Sequence, residues 1–354
     1  MNRCIYYKDC KESLNFNGEE HIFPAGLGGI RKLPKGYVSD EVNTMFSKLE
    51  GNVLKDSYLA LYRIFLGPGK RGKLNDRYNT KSRVGVISDL EEKSSDSYLG
   101  YIKKGEPCII DQIAYTDEKV NLIFNSNQKN ANEYSDELLD HLKNFESASP
   151  IVFFENSYDV NQFNVGIVFK GKELQWFVLC NEQTTLKNLV VILNNYIYSK
   201  IQEKEIEEVN SKTLVSLNIN SKISYYERVM AKIALNFLAD KFEKDFVFDS
   251  QFDSARDFIL GKSDNTFVAP LKDKESLNYT KKVIDSFQLP PLSHLIFGSY
   301  IPGEGVKVII QFYDDDYINV IYFRGKFDLC SSEIFGTICD WQNRKEMDLI
   351  KHIS

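Results

Sequence analysis

The stretch Gly18-Glu19-Glu20-His21-Ile22-Phe23-Pro24, continued by Val42-Asn43-Thr44-Met45-Phe46-Ser47 and Gly51-Asn52-Val53-Leu54-Lys55-Asp56-Ser57, decides how the chain reads. Glu20 stands beside His21, and two amides follow, Asn43 and then Asn52 nine residues on. Carboxylate and amide oxygens suit a hard cation such as magnesium, which keeps several waters and shares its other positions with phosphate. A neutral imidazole can take a proton from an attacking water, so these side chains make a minimal kit for cutting a phosphodiester. Gly26, Gly28, Gly29 and Gly36 mark turns in a β-hairpin-like segment, with His21 ending its first strand and Val38 on its second. Ser39 or Asp40 caps the helix that follows, whose apolar side carries Met45, Phe46, Leu49, Val53 and Leu54. At about 100° per residue, Asn43 and Asn52 fall on opposite faces of a straight helix, which assigns them separate roles.

The run Glu20-His21-Ile22-Phe23-Pro24 with Leu27-Gly28-Gly29, then Asn43 opening a helix, then Asn52, resembles the HNH endonucleases, also called ββα-metal or His-Me finger nucleases. An acid-His, Asn, Asn set is also similar to the one in the HNH domain of RNA-guided CRISPR effector nucleases. The resemblance covers the N-terminal segment alone. It implies that His21 is the general base, that Asn43 fixes the loop carrying His21, and that Glu20 and Asn52 hold one Mg²⁺ or Mn²⁺. Many relatives carry a zinc knuckle, a Cys-x-x-Cys before the first motif and another ahead of the asparagine. Here Cys4-Ile5-Tyr6-Tyr7 and Ser39-Asp40-Glu41-Val42 stand in those places, so the zinc ligands are degenerate. Cys10 does not rebuild a tetrahedral thiolate site. No structural zinc is expected, and packing of Tyr6, Tyr7, Phe16 and Tyr37 is left to hold the motif.

Charge supports an interaction with phosphates at one end. Residues 1–86 carry 15 Lys and Arg against 9 Asp and Glu, whereas the remainder carries 29 against 41, giving a formal net charge of -6. A basic head on an acidic body fits a protein that touches a polyanion locally and is not a general nucleic-acid coat. Lys70, Arg71, Lys73, Arg77, Lys81 and Arg83 sit on a Gly-rich stretch next to the motif, with Tyr78 among them. They are the expected DNA-backbone contacts, the alternative being a solvated linker. Gly67-Pro68-Gly69-Lys70 lacks the P-loop spacing. The six cysteines at 4, 10, 108, 180, 330 and 339 form no disulfide framework, and no apolar run approaches a membrane span. A cytoplasmic protein with no membrane partner is expected.

Farther on, strands are expected at 107–110, 120–124, 151–154, 165–169 and 175–179, with helices near 132–145 and from Thr185 into 200–208. The segment from Tyr225 to Leu238 is the clearest helix, a short helix spans 251–260, and 295–300, 306–312 and 318–323 read as a β-meander with turns at Pro302-Gly303 and 314–316. His141, His294 and His352 read as structural or solvated, Cys108 and Cys180 as buried thiols, and Asp314 to Asp316 as a hairpin turn.

The expected architecture is α+β, an N-terminal ββα-metal (HNH) nuclease module followed by a larger mixed α+β body. Its segments are 1–86 with the basic loop, 87–215, and 216–354, the last two serving recognition, sensing or partner binding. The expected function is metal-dependent hydrolysis of DNA phosphodiester bonds in bacterial restriction or antiphage defence. The body is left for a protein partner or an activating ligand. The alternatives are a catalytically inactive HNH-fold nucleic-acid-binding or regulatory subunit of a defence complex, and an RNase.

Overall fold

The computed structural model describes residues 3–7, 14–89, 97–116, 119–123, 140–142, 144–170, 173–200, 213–216, 222–315, 317–327 and 334–354. It is a mixed α+β protein of two compact units, one formed by residues 1–80 with 219–354 and the other by 81–218. The sequence reading drew its boundaries at 86 and 216 and gave the N-terminal module a unit to itself. Instead, one core joins both chain ends: Tyr6, Phe23, Val42 and Phe46 are buried in the same cluster as Met230, Ile233, Phe237, Val308 and Phe312.

In the first unit, α1 (Asp40–Asp56) starts at Ser39, whose hydroxyl accepts from the Val42 amide. It buries Val42, Phe46, Leu49, Val53 and Leu54 as its periodicity predicts, with Met45 half-buried beside them. Ser57 then ends α1 and caps α2 (Tyr58–Phe65) through the Leu59 amide. The two strands expected ahead of α1 shrink to a single antiparallel bridge, His21 with Lys32. Val38 lies on no strand. The segments around that bridge pair with the rest of the unit more than with each other: the Glu346 carboxylate accepts from the Ile30 and Arg31 amides at 2.6 and 3.0 Å, and Arg31 meets Asp240 at 3.0 Å.

The central helix (Ile223–Lys241) is the long helix that the sequence indicates between 225 and 238. It lies against a six-stranded antiparallel sheet of order β10-β13-β12-β11-β14-β15, namely Val268–Pro270, Asn319–Arg324, Gly305–Gln311, His294–Ile301, Phe335–Asp340 and Lys345–Asp348. Side chains alternate across this sheet, as a two-residue period requires. Val306, Val308 and Ile310 enter the core shared with the central helix. Ile309, Leu295 and Phe297 enter a second one with Ile284 of the helix Lys274–Asp285. The expected meander supplies β11, β12 and β13; the last two strands escaped the sequence reading.

The second unit carries two sheets. One has the order β3-β2-β1-β9 (Glu106–Ile109, Ser97–Lys103, Gly85–Asp89, Thr213–Ser216). The other has β5-β4-β7-β8-β6 (Lys119–Ile123, Gln112–Thr116, Phe163–Lys170, Glu173–Cys180, Ile151–Phe154), with only β6 and β8 parallel. The Gln112 side chain acts as a strand would, accepting from the Leu99 amide and donating to the Leu99 carbonyl, both at 2.9 Å. The helix expected from Thr185 runs Leu186–Lys200, and its charged continuation lies outside the described residues, as does most of the helix expected near 132–145. Cys180 is buried, but Cys108 on the edge strand β3 is half-buried, less enclosed than its apolar neighbours suggested.

Gly28 illustrates how tightly the N-terminal loop is held. Its φ is +91°, and a Cβ there would stand 2.4 Å from Cβ of Trp341. Gly28→Ala is therefore expected to lower stability by about 2 kcal/mol, through both backbone strain and overlap. An unchanged urea midpoint would show that the loop simply lifts off Trp341.

Candidate active site

Two anchors hold the segment that carries His21. Upstream, the Asp40 carboxylate in the first turn of α1 accepts from the Gly18 amide at 2.7 Å and the Asn17 amide at 3.1 Å, contacts that hold its carboxyl below the usual range. Asn43, one turn on, donates from Nδ2 to the Glu19 carbonyl at 3.5 Å. This is the loop-bracing position expected of it. Downstream, the Leu33 amide donates to the Glu20 carbonyl at 2.8 Å and the Ile22 amide to the Arg31 carbonyl at 3.1 Å. The chain then turns through Pro24 and the short 3₁₀ turn Ala25–Leu27.

The central helix supplies the rest. Lys232 and Asn236, one turn apart, both donate to the His21 carbonyl, at 3.3 and 2.9 Å. The Asn236 side-chain oxygen accepts in turn from the Tyr6 hydroxyl at 2.5 Å. The Lys232 ammonium, fully buried, also meets the Glu20 carboxylate and lies 2.6 Å from Glu50. Its aliphatic end passes the Phe46 ring at 5.6 Å. Burial disfavours that ammonium, but Glu20 and Glu50 outweigh it and raise its pKa. For Glu20, burial pushes the carboxyl up against the pull of Lys232, and Glu50 adds to the rise. The result is a buried cation clasped by two acids and one main-chain oxygen.

His21 itself is half-buried. Burial, then repulsion from Lys32 and Lys232, lowers its pKa to about 4, with Glu19 opposing. Its imidazole is therefore uncharged at neutral pH.

The sequence missed Glu50, Lys232 and Asn236. Glu50 was open to discovery: seven residues beyond Asn43, it returns to the same helix face. Lys232 and Asn236 were legible as polar residues at i and i+4 within the apolar run from Val229 to Ala239, all of which is buried. Their partners were not, because nothing local links residue 20 to residue 232.

Asn52, the other expected metal ligand, is exposed on α1. Two residues beyond Glu50, it faces away from the Glu20 side by helix geometry. Glu20 and Asn52 do not converge, and the Glu20 carboxylate is already engaged by Lys232. The pair assigned to magnesium or manganese does not fit a shared ion, and no chemical step is derived through one. Among the described residues no group of three or more His, Cys, Asp or Glu is placed to hold a metal. At the degenerate knuckle, the buried Cys4 Sγ accepts from the Ser39 amide at 3.4 Å, so the two knuckle positions touch through a hydrogen bond. Ile5 and Tyr37 also pair there, amide to carbonyl, at 2.9 Å. Tyr6 is buried, and Tyr7, Phe16 and Tyr37 pack against the same core. Cys10 lies outside the described residues.

The basic positions are all exposed, but they divide between the units. Lys70, Arg71, Lys73 and Arg77 belong with the candidate site; Lys81 and Arg83 belong to the second unit, where Lys81 bonds Tyr101 at 3.1 Å. The loop bearing the first four packs on the turn after Pro24, since a Cβ at Gly72 would stand 2.6 Å from the Ala25 carbonyl. Arg344 fixes it from the sheet, donating to the Gly72 carbonyl at 2.6 Å, and Tyr313 donates to Gly67 at 2.9 Å. Lys73 lies over the Tyr78 ring at 3.9 Å. The other histidines are occupied: His294 and His352 contact main-chain carbonyls, and His141 meets the Phe169 ring edge-on.

No family model, no curated protein and no solved structure matches the chain. Among the described residues no helix is long and apolar enough to cross a membrane.

Proposed function

We propose that the chain is an endonuclease of the HNH type that hydrolyses DNA phosphodiester bonds, with His21 as general base, in bacterial restriction or antiphage defence. One observation carries the reading: an uncharged, half-buried imidazole is fixed through its main chain from both sides. Asn43 acts through Glu19, and Lys232 and Asn236 act on the His21 carbonyl. A general base must be unprotonated at working pH and held within reach of its proton. An incoming phosphate would raise the pKa of the imidazole, since a nearby negative charge favours its protonated form. The exposed Lys70, Arg71, Lys73 and Arg77 on the adjoining loop are the groups that would grip the backbone.

A second reading, an HNH-type fold that binds nucleic acid or a defence partner without cutting, is favoured by the Lys232 ammonium, which already neutralises the acids beside His21. Plasmid DNA and structured RNA, each incubated with the full chain and Mg²⁺ or with a chelator, separate the readings. The nuclease reading expects nicking by wild type that falls roughly a hundredfold or more in His21→Ala. Intact DNA with salt-sensitive binding favours the second reading. RNA cut while duplex DNA survives makes the protein an RNase.

A further inference from the structure

A cavity of about 370 Å³ opens beside the start of α2, away from His21. That volume lies within the range of small-molecule sites, which combine an apolar lining with a few convergent polar groups. Three tyrosines form its walls: the Tyr58 ring lies 4.7 Å from Tyr317 and 5.5 Å from Tyr226, centroid to centroid. The Tyr58 and Tyr226 hydroxyls meet at 2.9 Å. Asn319, on the sheet strand β13, faces the same space.

Asn319 is the informative residue. It is only 1% exposed, yet neither its side-chain nitrogen nor its oxygen makes a well-formed hydrogen bond. It lies close enough to the Tyr58 and Tyr226 hydroxyls to pull against the rise that burial imposes on their pKa values, without completing a bond to either. Buried polar groups are rarely left this way, and one that lines a cavity is poised for a partner. A primary amide presents one donor and one acceptor side by side. The matching edge on a flat heteroaromatic is the adenine N6/N7 pair, which asparagine reads in bidentate fashion. Aromatic walls suit the faces of the same ring, because bases stack on tyrosine. At the mouth, half-buried Glu227 offers an acceptor for sugar hydroxyls, and exposed Lys272 offers a cation for a phosphate.

We propose that this cavity binds an adenine nucleoside or nucleotide, with Asn319 reading the base edge and Tyr317 stacking on its face. The site is distinct from His21 and does not depend on the nuclease reading. Calorimetric titration of the full chain with adenosine, AMP and uridine tests it. Saturable one-to-one binding of adenosine is expected, with uridine weaker by about tenfold or more, since it lacks the matching edge. Tighter binding of AMP than adenosine would add the phosphate to the ligand. Tyr317→Ala removes the stacking face, and about a tenfold loss of affinity is expected. Because Tyr317 is 40% exposed, this variant keeps its fold. Asn319→Leu, close in volume, should lose adenosine preference over uridine, with a melting curve showing that it remains folded. No saturable binding of adenosine or AMP at millimolar concentration overturns the proposal. So does affinity that both variants leave unchanged, or uridine bound as tightly as adenosine.

Discussion

Lys232→Met is expected to destabilise the folded chain by about 3–5 kcal/mol, the cost of leaving buried carboxylates without their cation. Methionine keeps most of the length and the apolar contact with Phe46, so the loss is electrostatic and not a cavity. Glu20 is 5% exposed and Glu50 approaches the same ammonium, so each carboxylate would then face the other in a desolvated site. Two consequences follow from the sign of the interaction. Without Lys232 the folded-state pKa of Glu20 rises further above its unfolded value. The deficit should therefore shrink as pH falls through that folded value and the acid takes up a proton. Replacing both acids by glutamine in the Lys232→Met background should recover most of the lost stability, because an uncharged set leaves no orphaned ion. Urea midpoints at pH 7.5 and 5.5 for the single and triple variants measure this. A single variant as stable as wild type at pH 7.5, or a triple variant no better than the single one, would remove the buried ion cluster from any account of the fold.

That cluster also marks where sequence reading stops. Helix α1 was legible to its cap, because Ser39 is a good N-cap and Val42, Phe46, Leu49 and Val53 repeat at helical spacing. The central helix and strands β11 to β13 were legible for the same reason, each having a period that matches its own secondary structure. The role of Asn43 as a brace was legible from its place at the helix start. The hairpin was not, since the segments around His21 and Lys32 draw their partners from Glu346, Asp240, Lys232 and Asn236, all more than two hundred positions away. A two-residue alternation cannot announce a strand whose neighbour is a distant side chain. The same limit explains Asn52. Spacing alone put it with Glu20, whereas the helix face selected by Asn43 presents Glu50, and a lysine from the far end of the chain takes the place between the acids. The unit boundary was hidden likewise: residues 81–218 are inserted between two halves of one core, and no composition change at 86 or 216 reports that Tyr6 packs against the central helix.

Acid is expected to unfold this unit early, and His294 is the residue that makes it do so. The side chain is completely buried at the start of β11, within rings of Phe23, Phe312 and Tyr313 at 6.1, 5.3 and 4.5 Å. Both nitrogens are committed in the neutral form: Nε2 donates to the Leu27 carbonyl at 2.9 Å, and Nδ1 accepts from the Tyr313 amide at 3.1 Å. A second proton on Nδ1 would confront that amide and leave a cation with no counter-ion, so burial lowers the pKa to about 3. The folded state thus refuses a proton that the unfolded chain accepts near the ordinary histidine value of about 6.5. The stability His294 confers is fully present above that value. It is lost as pH falls from there toward about 3, at roughly 1.4 kcal/mol per unit. Between pH 7.5 and 5.0 the loss attributable to this one side chain is about 2 kcal/mol. His21, lowered to about 4, adds a similar slope in the same window, whereas the raised carboxyls of Glu20, Asp240 and Glu346 act in the opposite sense as they protonate. The contribution of His294 is therefore read as a difference. His294→Gln, which can still donate to Leu27, should start less stable at pH 7.5 and lose about 2 kcal/mol less than wild type on moving to pH 5.0. Equal losses in the two proteins would mean that the acid sensitivity arises elsewhere. The clamp matters to the site because Leu27 ends the turn that begins at Pro24. When His294 charges, the grip on the loop carrying His21 is the first contact to go.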